Sequence, residues 1–455
     1  MSILRASISS NILSKADRLF SNDDASVFVE LLQNARRAGA TLVEVLVEPV
    51  GESLTESRIT FHDNGRGIDD FQKLLTLGDS DWNPDITAAE DPAGMGFFSL
   101  CHSTVEVRSG RKRAVFTQEV FLGDADAAVE ATEEEIAGTS ITFTRAGSPQ
   151  ALEQTLSRVS EFGPTEVAIN GKTLARADFL EGALHREVID GIEVGLGICF
   201  QHGYSWRDEN WNFHGARLKH EVASIHGLLI RDPHGHLQQE ILKTRFNVLE
   251  VGRVKLQLPD RRAIIQEDPL REFGRKVHAA AYRFIATQER HVLSFKSWQD
   301  ARSLGVALPE ASPLLRTWHA ATRDDGIDPF FGVVEQQLLA DADGVLLVEV
   351  DLPNQHTFEA ALASEPLSGK RLYQKQADFA GYSWYDSLPV VADTCVTVDG
   401  VPFEDWAEQK LPRPSKLSVG ITIRQVGHPD LTLERPAFVH VLDGDEVSCH
   451  IVRCT

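Results

Sequence analysis

Three short glycine-bearing segments fall in order within the first hundred residues and constrain the fold more than anything else in the chain. They are Glu30-Leu31-Leu32-Gln33-Asn34-Ala35-Arg36-Arg37-Ala38-Gly39-Ala40, then Asp63-Asn64-Gly65-Arg66-Gly67-Ile68, then Gly94-Met95-Gly96-Phe97-Phe98-Ser99. In the first, Val27, Phe28, Leu31, Leu32, Ala35 and Ala38 recur at three- and four-residue steps, which predicts an amphipathic helix closed by Gly39. Glu30 and Asn34 then stand one turn apart on a shared face. A carboxamide oxygen suits a hard cation such as Mg2+, and a carboxylate beside it suits the polarisation of water. The same pair would also serve as a solvated polar stripe on such a helix.

The second segment follows Arg58-Ile59-Thr60-Phe61-His62, which reads as a strand ended by Asp63. A carboxylate there can accept a hydrogen bond from an amino group, and the glycines beyond it let a flat ring or a sugar approach the backbone. An Asn-Gly hairpin turn accounts for Asn64-Gly65 but not for Gly67-Ile68. In the third segment, the apolar run Phe97, Phe98, Leu100 and Cys101 after the glycines predicts the start of a helix, whose amides and dipole can hold phosphate oxygens. A lone Gly-x-Gly is also an ordinary turn. No lysine-bearing phosphate loop with the Gly-x4-Gly-Lys-Ser/Thr spacing occurs, so phosphates would be held without one.

The order and spacing of these segments resemble the GHKL ATPase superfamily, which includes DNA gyrase, the ninety-kilodalton heat-shock chaperone, histidine kinases and the MutL mismatch-repair proteins. A fourth segment, Gly138-Thr139-Ser140-Ile141 leading into Thr142-Phe143-Thr144, is similar to the superfamily's terminal Gly-Thr-x-Ile strand. The resemblance implies a Bergerat-fold ATP-binding domain, an α/β sandwich, over residues 1–147, with ATP and Mg2+ as its ligands. It implies Glu30 as general base, Asn34 as the Mg2+ ligand and Asp63 as the adenine acceptor, supported by Thr139. Gly65, Gly67 and Ile68 would line the base, and Gly94, Met95, Gly96 and Phe97 would cradle phosphate. Gly-Met-Gly-Phe-Phe-Ser is similar to the chaperone branch's Gly-Val-Gly-Phe-Tyr-Ser, and Ala38-Gly39-Ala40 to the MutL-type ending Asp-Ala-Gly-Ala. One position departs. The superfamily often has an aspartate three residues after the metal-binding asparagine, and Arg37 stands there, which alters a water-mediated base contact or a partner site.

The 455 residues suffice for about three domains. The expected class is α+β throughout: the ATPase domain, an α+β middle domain of transducer type over 148–295, and a strand-rich domain over 296–455 that chooses the partner. A helix is predicted over 150–162, a strand over Glu166-Val167-Ala168-Ile169 with an Asn170-Gly171 hairpin turn after it, strands within 191–200 and 227–230, and a long amphipathic helix over 268–289. Ahead of that helix, Leu258-Pro259-Asp260-Arg261-Arg262-Ala263-Ile264-Ile265-Gln266 is similar to a chaperone segment whose arginine reaches the γ-phosphate from the second domain. The resemblance implies that role for Arg262, with Arg261 next; a pair of solvated arginines would look the same. Further on, 304–322 reads as a connector with short helices, 344–350 and 417–423 read as strands, and Pro412-Arg413-Pro414 marks a break.

No apolar run approaches the ~20 residues of a membrane span, and Met1-Ser2-Ile3-Leu4-Arg5 lacks a signal-peptide core. Five scattered cysteines read as reduced thiols in a cytoplasm. Asp232-Pro233-His234-Gly235-His236, the densest group of histidines, reads as a polar turn, because a matched second cluster of metal ligands is missing. A formal charge of −22 argues against a broad phosphate-backbone footprint and makes direct DNA binding the lesser expectation. The leading expectation is a chaperone-like or remodelling ATPase that closes as a homodimer on a protein client, with a lid over 78–93 folding onto the nucleotide. A DNA repair or topology ATPase of the MutL or gyrase type is the alternative, set back by the charge and by the lack of a topoisomerase-like tyrosine setting or an endonuclease metal motif. A nucleotide-sensing module without turnover is a third. A histidine kinase is disfavoured, because no phosphoacceptor helix precedes the domain.

Overall fold

Helix α1 (Asp24–Arg37) is defined at both ends by local chemistry. Asp23 accepts the Ser26 amide at 2.9 Å, a cap typically worth ~1 kcal/mol. At the other end Gly39 turns left-handed at φ +77°, and the amides of Gly39 and Ala40 donate to the carbonyls of Arg36 and Ala35 at 2.9 and 3.0 Å. Val27, Phe28, Leu31 and Ala35 form the buried face. The computed structural model describes residues 23–53, 55–76, 96–198, 209–231, 237–249, 254–256, 263–265, 267–318, 336–349, 358, 362, 366–398, 401–402, 405, 417–424 and 429–437.

Strand β1 (Leu42–Pro49) buries Val43, Val45 and Val47 and exposes Glu44, Leu46 and Glu48, the alternation of a sheet covered on one face. It pairs antiparallel with β2 (Glu56–Asp63), Val45 facing Phe61 and Val43 facing Asp63. After β3 (Val105–Phe116) and the short α2 (Gln118–Leu122), β4 (Val129–Ala146) inserts between β2 and β3. Then come α3 (Pro149–Ser160), capped by Ser148, and the strands β5 (Glu166–Ile169) and β6 (Lys172–Thr173). The sheet order is β3-β4-β2-β1-β5-β6, with β5 parallel to β1. The sheet therefore continues past the boundary expected at residue 147, because the α3 crossover carries the chain back beside β1. Leu152, Leu156 and Val159 of α3 share one core with Val27, Phe28, Val43 and Ile59.

A second sheet follows, built from β7 (His185–Ile189), β8 (Ile192–Ile198), β9 (Trp211–Phe213), β10 (Ala216–Leu218), β11 (Ser224–Arg231) and β12 (Leu237–Val248). Its order is β10-β9-β12-β8-β7, with β11 also paired to β12. Trp211 is fully buried in it, 4.3 Å from the Phe246 ring and 5.8 Å from Phe273 of α4 (Asp268–Ala286). The chain divides into two compact units, residues 1–225 with 241–281, and residues 226–240 with 282–455.

The later unit holds α5 (Phe295–Ser303), a two-stranded pair of β13 (Leu314–Arg316) and β14 (Gln336–Leu338), and a sheet built around β15 (Val345–Val348). β16 (Arg371–Gln374) and β17 (Val390–Val398) run parallel to β15; the short β18 (Val401–Pro402) and β19 (Leu417–Arg424) pair antiparallel with β17, and β20 (Leu431–Ala437) pairs antiparallel with β19. Alternate residues of β15 pack into two different apolar clusters, Leu346 and Val348 in one, Val345 and Leu347 in the other. A strand covered on both faces reads as a continuous apolar run, which is how this segment looks in the sequence. The expected connector over 304–322 contains a strand, β13, among its described residues. The chain is α+β, as its pattern predicts. No helix among the described residues is long and apolar enough to cross a membrane.

Candidate functional site

Asp63 is the last residue of β2 and points to the covered face, 8% exposed. Across the sheet it lies in one row with Val43, Thr139 of β4 and, beyond Thr139, Ser109 of β3. Its Oδ1 accepts the Gly65 amide at 2.9 Å, and the Thr139 amide also donates to the carboxylate. Burial pushes the Asp63 carboxyl above its ordinary range; the Gly65 amide, the His62 charge and the Thr139 amide pull the other way. Gly138, at φ +70°, lies so close to Asp63 that a Cβ would overlap the Asp63 carbonyl, so the approach of β4 requires glycine there.

The loop after Asp63 is not a hairpin. Asn64 accepts the amides of Thr41 and Leu42 at 2.9 and 3.0 Å, which ties it to the start of β1. The Arg66 amide donates to the carbonyl of Ala38 at the end of α1, and Gly65 packs on the Ala38 side chain. Ser109 closes the other side: its hydroxyl accepts the Ile68 amide and donates to the Gly138 carbonyl, both at 2.8 Å, with Gly67 against it. Sequence reasoning misses Ser109. Its signal is a polar residue at an inward position of a strand whose preceding inward residues, Val105 and Val107, are apolar.

Glu30 and Asn34 are half-buried on α1, and Gly96 lies against both: a Cβ there would stand 2.6 Å from Glu30 Oε2 and 3.5 Å from Asn34 Nδ2. The third segment thus meets the first. Gly96–Leu100 is a five-residue 3-10 helix rather than the opening of a longer helix. Its apolar side chains are drawn into the core, with the Phe97 ring 5.4 Å from Phe116 and 5.3 Å from Phe121. So short a turn offers amides but little macrodipole, and the Phe97 side chain is taken up by packing. Gly94, Met95, the expected lid over 78–93, Arg261, Arg262 and the histidine group at 232–236 lie outside the described residues. Leu256 and Ile264, on either side of the arginine pair, join in an antiparallel bridge.

The donors present fit Mg2+. Asn34 Oδ1 is a hard oxygen, and Glu30 stands one helical turn before it on α1. A site with one protein oxygen, completed by phosphate and water, suits Mg2+. Arg37, however, is buried at 7% exposure and its Nη1 donates to that same Oδ1 at 3.1 Å. Gln33 is also buried, and its Nε2 donates to the carbonyls of Phe213 and His214, each at 2.9 Å.

No family model matches the sequence, and no curated protein matches it. Among solved structures, the N-terminal domain of a DNA repair protein is 12% identical with a TM-score of 0.33, over 60% of this chain and 99% of that one. The 43K ATPase domain of Thermus thermophilus gyrase B, in complex with an aminocoumarin, is 17% identical with a TM-score of 0.30, over 61% of this chain and 88% of that one. The B-subunit of DNA gyrase from Myxococcus xanthus is 13% identical with a TM-score of 0.32, over 64% and 93%.

Proposed function

We propose that the chain binds and hydrolyses ATP as a GHKL-type ATPase. The supporting observation is that the motif loops are arrayed along one helix: Gly96 lies on Glu30 and Asn34, and Gly65, next to Asp63, lies on Ala38 of the same helix end. Asp63 accepts the 6-amino group of adenine in a charge-assisted bond; guanine presents a carbonyl oxygen at that position, which a carboxylate repels. The glycines at 65 and 67 admit the flat base, and the amides at the Gly96 turn face the phosphates. Glu30 takes the proton of the attacking water as the water oxygen bonds to the γ-phosphorus and the bond from that phosphorus to the β–γ bridging oxygen breaks; the carboxylate becomes the carboxylic acid, ADP leaves with the bridging oxygen, and inorganic phosphate is the other product. Asn34 Oδ1 would hold Mg2+, whose chemistry there is neutralisation of phosphate charge. Charge on the γ-phosphate also calls for a cation from outside the first sheet, for which Arg262, then Arg261, is our candidate.

The finer reading is a chaperone-like or remodelling ATPase acting on a protein partner as a dimer, with residues 296–455 choosing that partner. It is supported by the Gly-Met-Gly-Phe-Phe-Ser sequence. Purified protein should hydrolyse ATP slowly, and Glu30→Ala should keep binding while turnover falls ~10²-fold or more. Equal loss of binding would make Glu30 structural, and binding without turnover in the parent protein would leave a nucleotide sensor.

A further inference from the structure

We propose that Arg37 is a built-in competitor for the cation at Asn34 and so sets how much Mg2+ the site needs; the inference rests on the nucleotide reading above. Arg37 sits three residues after Asn34, one turn along α1, and is directed back at it. A basic residue in a last helical turn commonly faces solvent and complements the helix end. Arg37 instead is 7% exposed, and its Nη1 lies 3.1 Å from Asn34 Oδ1. That oxygen is the hard donor the site offers to a cation, and it has two lone pairs. Arginine brings a positive charge on a planar fork of donors. With a monocation on one lone pair, a dication on the other meets direct repulsion in a setting where water screens little.

Two consequences follow for a triphosphate. Its oxygens are good acceptors for a guanidinium, so Arg37 held between Asn34 and the phosphates engages both kinds of oxygen that Mg2+ would take. In the absence of metal, the same guanidinium supplies positive charge to the phosphates. The parent protein should therefore bind nucleotide in EDTA and should need high Mg2+ to gain further affinity.

The test is calorimetry of a non-hydrolysable ATP analogue over a Mg2+ series beginning in EDTA, on the full chain, with thermal unfolding of every variant as a folding control. Arg37→Gln, which removes the charge, should lower the Mg2+ concentration for half-maximal effect by about tenfold or more and weaken binding in EDTA by about tenfold, each ~1.4 kcal/mol. Arg37→Lys keeps the charge and should stay within about threefold of the parent by the same argument. The same Mg2+ dependence in Arg37→Gln as in the parent overturns the proposal, and so does Arg37→Lys shifting as far as Arg37→Gln. If Arg37→Gln does not fold, Arg37→Met replaces it, and failure of both makes Arg37 a structural residue. Absence of nucleotide binding by the parent in either buffer is a different result: it removes the nucleotide reading itself, and this inference with it.

Discussion

At the scale of single residues, Asp63 carries the sharpest expectations. Asp63→Asn exchanges a charge-assisted acceptor for a neutral amide that can present the wrong group, so ATP affinity should fall by roughly 1.5–3 kcal/mol in calorimetry. Equal affinity of the parent for ATP and GTP would remove Asp63 from adenine recognition. The carboxyl is held above its ordinary value of 3.8, chiefly by burial, so it takes up its proton at higher pH than an exposed aspartate. Once protonated it no longer offers a charged acceptor, and ATP affinity should drop as pH falls through that raised value. Fold stability has the opposite sign. A carboxyl that binds its proton more tightly in the folded state stabilises the fold at low pH, and that contribution is lost as pH rises from 3.8 through the raised value. Ser109→Ala would strand the Ile68 amide and the Gly138 carbonyl, which should cost about 1–3 kcal/mol in urea unfolding and loosen the Asp63 loop.

At the scale of elements, α1 joins the site to the second sheet. Gln33 donates to the carbonyls of Phe213 and His214 at the β9–β10 turn. In that turn Asn212 accepts the Gly215 amide and donates to Asn247, which donates to Glu193 on β8. A hydrogen-bonded chain thus runs from the helix bearing Glu30 and Asn34 into the second sheet. Gln33→Leu keeps the helix and much of the volume but leaves two carbonyls without this donor, and should destabilise by about 1–3 kcal/mol with an unchanged denaturant slope. A change below 0.5 kcal/mol, by the usual range for neutral surface substitutions, would mean that water replaces the donor at no cost. The periodicity of α1 is legible in the sequence, but Gln33 among its apolar neighbours carries no mark of what it meets 180 residues later.

At the scale of the whole molecule, the first sheet is complete only after β5 has crossed back beside β1. A chain ended at Arg145 lacks β5 and also α3, whose Leu152, Leu156 and Val159 fill the core under α1. Such a chain should show no cooperative thermal transition and no ATP binding; a sharp transition would show that the sheet is stable without its parallel strand. In the intact chain, Arg262→Ala should lower turnover by up to ~10³-fold in a steady-state assay with ATP affinity nearly unchanged, by analogy with arginines placed against phosphoryl oxygens. A variant as fast as the parent would assign the cation to another residue.

Local patterns alone determined the apolar periodicity of α1 and its Gly39 end, the strand leading to Asp63, and the Asn170-Gly171 turn. Asn170 and Gly171 take positive φ values of 49° and 78°, the conformation their residue types favour in a two-residue hairpin. These features depend on hydrogen bonds and side-chain spacing within a few residues, so a short window contains the whole cause. Tertiary structure alone decided the parallel pairing of β5 with β1, the 3-10 turn that sinks Phe97 and Phe98 into the core, the Ser109 clip and the reach of Gln33. Each of these depends on which surface arrives from elsewhere in the chain. A buried polar group must take the partner that the packing brings to it, and no pattern in its immediate neighbours specifies that partner.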